Sequence, residues 1–255
     1  MIEAWIIYGG LSLARVASFV ATLPLFGGHR LPRFVKVGIA LALAAVCLGG
    51  EFRMTYALAL AESPHWFALA LAAARECIFG ATLGFAMGLF LVPARIAGSY
   101  VGEEAGLTLA SISEPGFGDT SNVFAQLFES IGILIFFALD IHHYVLALLY
   151  ATLYRWPVAG PLPLPTLDAV VQGVTDVHEW GLLVIAPIGI CLFATTMMLA
   201  VLMKVAPQLN LFSVGLGIRL GVALGVVFLF LPELCWMLQR VFAQMGGFID
   251  GWLRA

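Results

Sequence analysis

The feature of this sequence that most constrains its fold is a series of long apolar runs with few charged residues. Residues 182–203 form the cleanest run, with 22 residues and no charge. A helix of that length spans about 33 Å, which is enough to cross the hydrocarbon core of a bilayer. Of all 255 residues, 62% are hydrophobic and 11% are charged, whereas soluble chains carry about 25% charged residues. We therefore predict an integral membrane protein.

The apolar runs predict helices. They cover residues 4–26, 37–50, 66–92, 123–150, 182–203 and 211–231. Because lipid satisfies no backbone polar group, such segments must be helices or strands of a closed barrel. Barrel strands alternate apolar and polar residues, and these runs do not. We predict an all-α, polytopic membrane-associated protein with about six long apolar helices plus helical hairpins, forming one domain over residues 1–255.

The segments between the runs have different patterns. Residues 113–122 and 156–165 are rich in turn-forming residues and are predicted to be loops. Residues 167–180 predict a separate amphipathic helix before the fifth run. Residues 233–254 mix apolar and charged residues, which is typical of a segment at a membrane interface.

Composition and motifs argue against several functional classes. The net charge of −3 offers no basic face for nucleic acid. Four scattered cysteines form no metal-binding spacing and are predicted to be buried small hydrophobic residues: Cys47, Cys77, Cys191 and Cys235. The sequence contains no phosphate-binding loop and no recognisable nucleophile with a base. We expect no enzymatic activity, no cofactor and no metal.

Three sets of glycines recur at a spacing of four residues. They are Gly80, Gly84 and Gly88; Gly98, Gly102 and Gly106; and Gly217, Gly221 and Gly225. This spacing places the members of each set on one helix face, where missing side chains let two backbones approach closely in a membrane. The partner of each face is open: it is either a helix of the same chain or a neighbouring subunit.

Charged residues within the apolar runs need partners or water. The candidates are Arg15, Arg75, Glu76, Glu129, Asp140 and Arg219. Adjacent residues on a helix do not face each other, so Arg75 and Glu76 are expected to have different partners. A proton relay or partial metal site at Asp140, His142 and His143 is possible. However, the two histidines are expected to point apart, which favours a polar helix end.

The string from Lys204 to Gly215 is the most distinctive motif. It resembles the signature of the FliR family, called SctT in virulence systems, through Pro207, Gln208, Asn210, Phe212 and Gly215. Further resemblances follow in the family's order: Glu76 with Gly80 and Gly84, the Gly98–Gly106 segment, Glu114-Pro115, His142-His143, Arg155-Trp156-Pro157 and Ala186-Pro187. Two departures are Gly217, where the family often has proline, and His142, where it usually has glycine.

The resemblance implies a subunit of a type III protein export gate. One such subunit joins several FliP-like and FliQ-like subunits in a helical assembly around a channel, which an FlhB-like subunit surrounds. Unfolded export substrates cross this channel. The implied location is the bacterial inner membrane at the flagellar basal body, in contact with membrane lipid and with parts raised toward the periplasm. The signature string favours the flagellar branch over a virulence system.

The resemblance also implies a plug at residues 107–121, which helps to close the channel. Its candidate residues are Gly106, Ile112, Glu114, Pro115, Gly116, Phe117 and Gly118. Glycines allow a mobile backbone, and apolar side chains form a dewetted seal that blocks ions. The alternative is that this segment only connects two helices.

Two other functions remain open. The first is an SctT-like gate subunit of a virulence system. The second is a proton-coupled small-solute transporter with a relay through Glu129, Asp140 and the histidines, although no inverted repeat is evident. A membrane-embedded enzyme is disfavoured because the sequence lacks a catalytic set.

Overall fold

The computed structural model describes residues 2–26, 32–48, 55–62, 66–107, 123–161, 167–205 and 211–247. Within these ranges the chain forms ten α-helices, one 3₁₀ turn at Pro24–Phe26 and no β-strand. The helices are α1 (Ile2–Thr22), α2 (Arg33–Leu48), α3 (Thr55–Glu62), α4 (Trp66–Gly88), α5 (Val92–Glu104), α6 (Val123–Ala138), α7 (Ile141–Arg155), α8 (Leu167–Val205), α9 (Leu211–Leu229) and α10 (Leu231–Ala243). The predicted all-α class is confirmed.

Three helices in the described residues are long and apolar enough to cross a membrane by themselves. They are α1, α4 and the Val171–Leu202 part of α8. The pairs α6–α7 and α9–α10, which are bent by 72° and 62°, qualify only when each pair is taken as one broken span, so the described residues hold up to five candidate spans. The predicted polytopic membrane protein is confirmed. The second apolar run forms α2, whose 16 residues span only about 24 Å.

Two helix boundaries differ from those expected. The predicted amphipathic helix and the fifth apolar run are one continuous helix, α8, with 39 residues. Pro187 lies inside α8 and has no N–H to donate, a defect that helices in membranes tolerate. In contrast, the fourth run is divided between α6 and α7 at Asp140, which has a left-handed φ of 55°. Aspartate adopts this conformation more readily than most residues.

The described helices cluster into two compact units. The first contains α1–α4 and α7, and the second contains α5, α6, α9, α10 and most of α8. In the first unit, α1 packs chiefly against α4 and α2. The buried residues of α1 recur every three or four positions, as expected for one helix face: Ala4, Tyr8, Leu11, Ser12, Arg15, Val16, Phe19 and Val20.

The second unit is built mainly on the contact between α5 and α6, with α10 against α6. The rings of Phe136 on α6 and Phe242 on α10 meet edge to face, with centroids 5.9 Å apart. Phe90, just before α5, stacks on Trp180 of α8 at 5.5 Å. Aromatic pairs of this kind add specific geometry to apolar burial.

Candidate functional site

The glycines of α4 allow a close approach of the α1 backbone in the first unit. A Cβ atom on Gly80 would collide with the carbonyl oxygen of Arg15 and the hydroxyl of Ser18. At Gly84 it would lie 2.6 Å from the Phe19 carbonyl oxygen. Backbone atoms cannot move aside as a flexible side chain can. This face of α4 therefore contacts α1 of the same chain, which is one of the two partners considered from the sequence.

Gly88 ends the same face. A Cβ atom there would lie 2.7 Å from the ring of Pro24, in the 3₁₀ turn after α1. We call each set of three glycines a ladder. All of the first ladder thus packs against α1 and the turn after it. All three of its glycines are buried.

The second ladder includes only two helical glycines. On α5, a Cβ atom at Gly98 would lie 2.6 Å from Cα of Ala125 on α6, and Gly102 is buried. The prediction that Gly106 continues this helix face is wrong, because α5 ends at Glu104 and Gly106 has φ +82°. In this left-handed region a residue with a Cβ is strained. Gly106 therefore ends the helix.

The third ladder, on α9, contacts no other part of the described chain. Gly217, Gly221 and Gly225 are exposed, and a Cβ atom at any of them would meet nothing within 4 Å. Large apolar side chains on α9 are exposed as well, with Phe228 81% accessible. This face is open for close approach by a helix from outside the described chain.

A buried ion pair lies beside the α1–α4 contact. The side chains of Arg15 on α1 and Glu76 on α4 are 0% and 1% exposed, and Arg15 Nε donates to Glu76 Oε2 at 2.5 Å. Arg15 Nη1 also donates to the carbonyl oxygens of Thr152 at 3.2 Å and Trp156 at 3.0 Å. Those carbonyls belong to the last turn and C-cap of α7. Arg15 thus joins three helices of one unit.

The carboxylate of Glu76 has a second role. Its Oε1 atom accepts the backbone N–H of Ala159 at 2.9 Å. Ala159 lies in the turn after α7 and has a φ of 65°, which is uncommon for a residue with a side chain. The hydrogen bond to Glu76 helps to hold this strained turn. Glu76 therefore connects α4 to α1 and to the end of α7.

Aromatic rings complete the surroundings of the ion pair. The guanidinium of Arg15 lies 5.0 Å from the ring centroid of Phe79, one helical turn from Glu76. Phe79 in turn meets Trp156 edge to face at 5.9 Å. A charge excluded from water needs several partners, and here they are one carboxylate, two carbonyls and an aromatic face. The arrangement provides structural cross-links.

From the sequence, Arg15 and Glu76 are recognisable as charges that need partners, but they are not recognisable as a pair. The two residues have opposite charges and lie in different apolar runs, and that complementarity is the signal that could have suggested the pair. The adjacent Arg75 is exposed, as expected if it does not share the environment of Glu76. Thr152, Trp156 and Ala159 contribute backbone atoms, which leave no such trace in a sequence.

The histidines at the start of α7 do not point apart, so that prediction is wrong. The ring centroids of His142 and His143 are only 4.1 Å apart. Asp140 is the N-cap residue of α7, and its Oδ1 atom lies 3.6 Å from Nδ1 of His143. Rotation of the side chains at a helix start overrides the 100° offset expected between adjacent residues.

Other predicted site residues fall outside the residues that the structure describes. They are the plug residues Ile112, Glu114, Pro115, Gly116, Phe117 and Gly118 and the signature residues Pro207, Gln208 and Asn210. Phe212 and Gly215 are in α9, and Gly215 is buried. Of the four cysteines predicted to be buried, only Cys47 is fully buried. Cys191 and Cys235 are partly buried and Cys77 is exposed, so the prediction is wrong for Cys77.

Taken together, the long apolar helices, the glycine-mediated helix contacts and the charges held inside a helical unit define an integral membrane protein of the all-α, polytopic class. The chain matches the family model described as "Bacterial export proteins, family 1" over residues 6–245. This match covers nearly the whole chain, so the chain belongs to that family. The family predicted from the signature residues is confirmed.

Several characterised relatives extend the comparison. The chain is 25% identical over 249 residues to "Flagellar biosynthetic protein FliR" of Escherichia coli (strain K12), covering 95% of this chain and 92% of that protein. It is 23% identical over 237 residues to the FliR protein of Bacillus subtilis (strain 168), covering 91% and 89%. It is also 26% identical over 210 residues to "Yop proteins translocation protein T" of Yersinia pestis, covering 76% and 80%.

Proposed function

We propose that this chain is a core subunit of a flagellar-type protein export gate, and that it helps to form and seal the channel through which unfolded substrates cross the inner membrane. The observation that carries this proposal is the similarity to a FliR protein over 95% of the chain. The virulence-system relative aligns with a smaller share of this chain, 76%. The flagellar role is therefore the first choice, and the SctT-like role is the alternative.

The subunit acts through packing, and its described residues support that role. In the first unit, glycine contacts and a buried ion pair hold the facing sides of the helices together. The open glycine face of α9 is available for a partner helix. In a membrane, close packing and hydrogen bonding replace the hydrophobic drive for helix association. We place the contact with FliP-like or FliQ-like subunits at this face of α9.

The proposal has four further parts, which the resemblance to the FliR family suggests. An FlhB-like subunit contacts the assembled gate, and residues 107–121 act as the plug that seals the channel. The assembly lies at the basal body in the inner membrane, with part of its mass toward the periplasm. The chain catalyses no reaction.

A deletion of the gene tests the proposed function. It should abolish secretion of flagellar filament protein and motility while leaving growth unchanged, and the wild-type chain expressed in trans should restore both. An affinity-tagged chain extracted in mild detergent should co-purify with at least two smaller apolar membrane proteins, identified by mass spectrometry.

The alternatives give different results in the same strain. Normal motility with loss of effector secretion into host cells would assign the chain to a virulence system. If the strain secretes flagellar and effector proteins normally but no longer takes up a small solute, the export gate is rejected in favour of a transporter.

A further inference from the structure

Three side chains at the start of α7 have the chemistry of a transition-metal site. Asp140, His142 and His143 each offer one ligand atom, and these atoms all lie within 4.8 Å of one another. One of these separations, from Asp140 Oδ1 to His143 Nδ1, is 3.6 Å. Two ligands of one metal ion at about 2.1 Å from it stand roughly 3.0–3.4 Å apart. Only a small side-chain movement separates this pair from such a geometry.

The accessible positions of these side chains permit that movement. The side chains of Asp140 and His143 are 75% and 72% exposed, and His142 is half-buried. The rotamers of Asp140 and His143 can therefore change without disturbing the core. Exposure also leaves open positions that water would fill around a metal with three protein ligands.

The backbone contributes to the arrangement. Asp140 has a left-handed conformation at the N-cap of α7, which turns its carboxylate toward the ring of His143 one turn later. The N-terminus of a helix disfavours a nearby cation, and the negative charge of Asp140 offsets that effect. The carboxylate is therefore expected to contribute strongly to binding.

We propose that Asp140, His142 and His143 form a binding site for a divalent transition-metal ion of the Zn²⁺ class. Two imidazoles and one carboxylate suit Zn²⁺ or Cu²⁺, whereas Mg²⁺ and Ca²⁺ prefer oxygen ligands alone. A bound ion would cross-link the N-cap and first turn of α7. This site is separate from the buried ion pair at the other end of the helix, and it does not depend on the proposed function.

Titration of the full-length chain tests the site. The chain should be purified in detergent with a tag that contains no histidine and titrated with Zn²⁺ by calorimetry. We expect one site per chain, with an affinity at least tenfold weaker in Asp140→Asn and in His143→Gln. Asparagine also tolerates the left-handed conformation, so Asp140→Asn removes the charge with little change to the backbone.

His178→Gln is the matched control, because His178 is an exposed histidine on α8 outside this cluster. It should bind Zn²⁺ like the wild-type chain. The paramagnetic resonance spectrum of bound Cu²⁺ should show coupling to two nitrogen nuclei in the wild type and to one in His143→Gln. Absence of Zn²⁺ binding, or equal loss of affinity in His178→Gln and His143→Gln, would reject the site.

Discussion

At the residue scale, the buried pair of Arg15 and Glu76 links three helices of the first unit. Neutralising one member should leave the other charge buried without compensation, which costs about 3–5 kcal/mol. We therefore expect Glu76→Gln to lower the thermal unfolding temperature and the amount of chain in the membrane. Unfolding can be followed by circular dichroism in detergent.

Two variants serve as controls for Glu76→Gln. Arg75→Gln changes the neighbouring, exposed residue and should alter stability by no more than about 0.5 kcal/mol. The double variant Arg15→Met with Glu76→Met removes both charges and should be more stable than either single substitution. A Glu76→Gln chain as stable as Arg75→Gln would show that the pair contributes little.

Two glycines provide a second test at this scale. Gly84→Ala places a methyl group against the Phe19 carbonyl oxygen, and overpacking of this kind costs about 1–3 kcal/mol. Gly221→Ala meets nothing within 4 Å and should be neutral or stabilising by up to about 1 kcal/mol, since alanine favours the helix. Equal stability of the two variants in isolated chains would contradict the described α1–α4 contact.

The sequence revealed which single residues are unusual but not which residues they contact. A glutamate in an apolar run must have a partner, and Glu76 does. The identity of that partner depends on tertiary packing across 61 positions, which periodicity does not encode. The histidine prediction was wrong for a local reason, because ideal helix directions do not describe side chains beside a left-handed cap.

At the element scale, a substitution on the exposed face of α9 tests assembly with partners separately from folding of the chain. Gly221→Leu adds a bulky side chain where no described residue lies nearby. We expect the isolated chain to fold normally, while its incorporation into a larger complex falls by at least tenfold, because a partner helix can no longer approach closely. Native gel electrophoresis of membrane extracts measures the complex.

Gly38→Leu is a matched control for this substitution. Gly38 is also helical, on α2, and also has nothing within 4 Å of an added Cβ, but it belongs to no glycine ladder. Normal complex formation by Gly221→Leu would remove α9 from the proposed interface. Loss of complex by both variants to the same degree would indicate a general effect of added bulk.

Helices were easier to predict than their ends. Long apolar runs identified most of the described helices, because lipid leaves the backbone few alternatives. The continuation of α8 through its polar first part was missed, since a change from mixed to apolar composition resembles a boundary. The break before α7 was missed because one aspartate within an apolar run gives only a weak signal.

At the scale of the whole molecule, many large apolar side chains of the described residues are exposed, and those residues include three to five candidate spans. Partner subunits should cover some of these side chains. Because binding to the folded state alone raises stability, we expect the chain to unfold at a higher temperature within its complex than after isolation. Differential scanning of both samples in the same detergent measures the difference, and equal unfolding temperatures would argue for a chain that functions alone.

The partners of Arg15 also have a consequence for how the protein is made. Glu76 is translated 61 residues after Arg15, and the Thr152 carbonyl 137 residues after it. An arginine near the middle of a newly inserted helix costs about 2.5–3.5 kcal/mol on insertion scales. Helix α1 therefore gains the partners that offset this cost in two steps, the carboxylate of Glu76 first and the Thr152 carbonyl only after more than half of the chain has been synthesised.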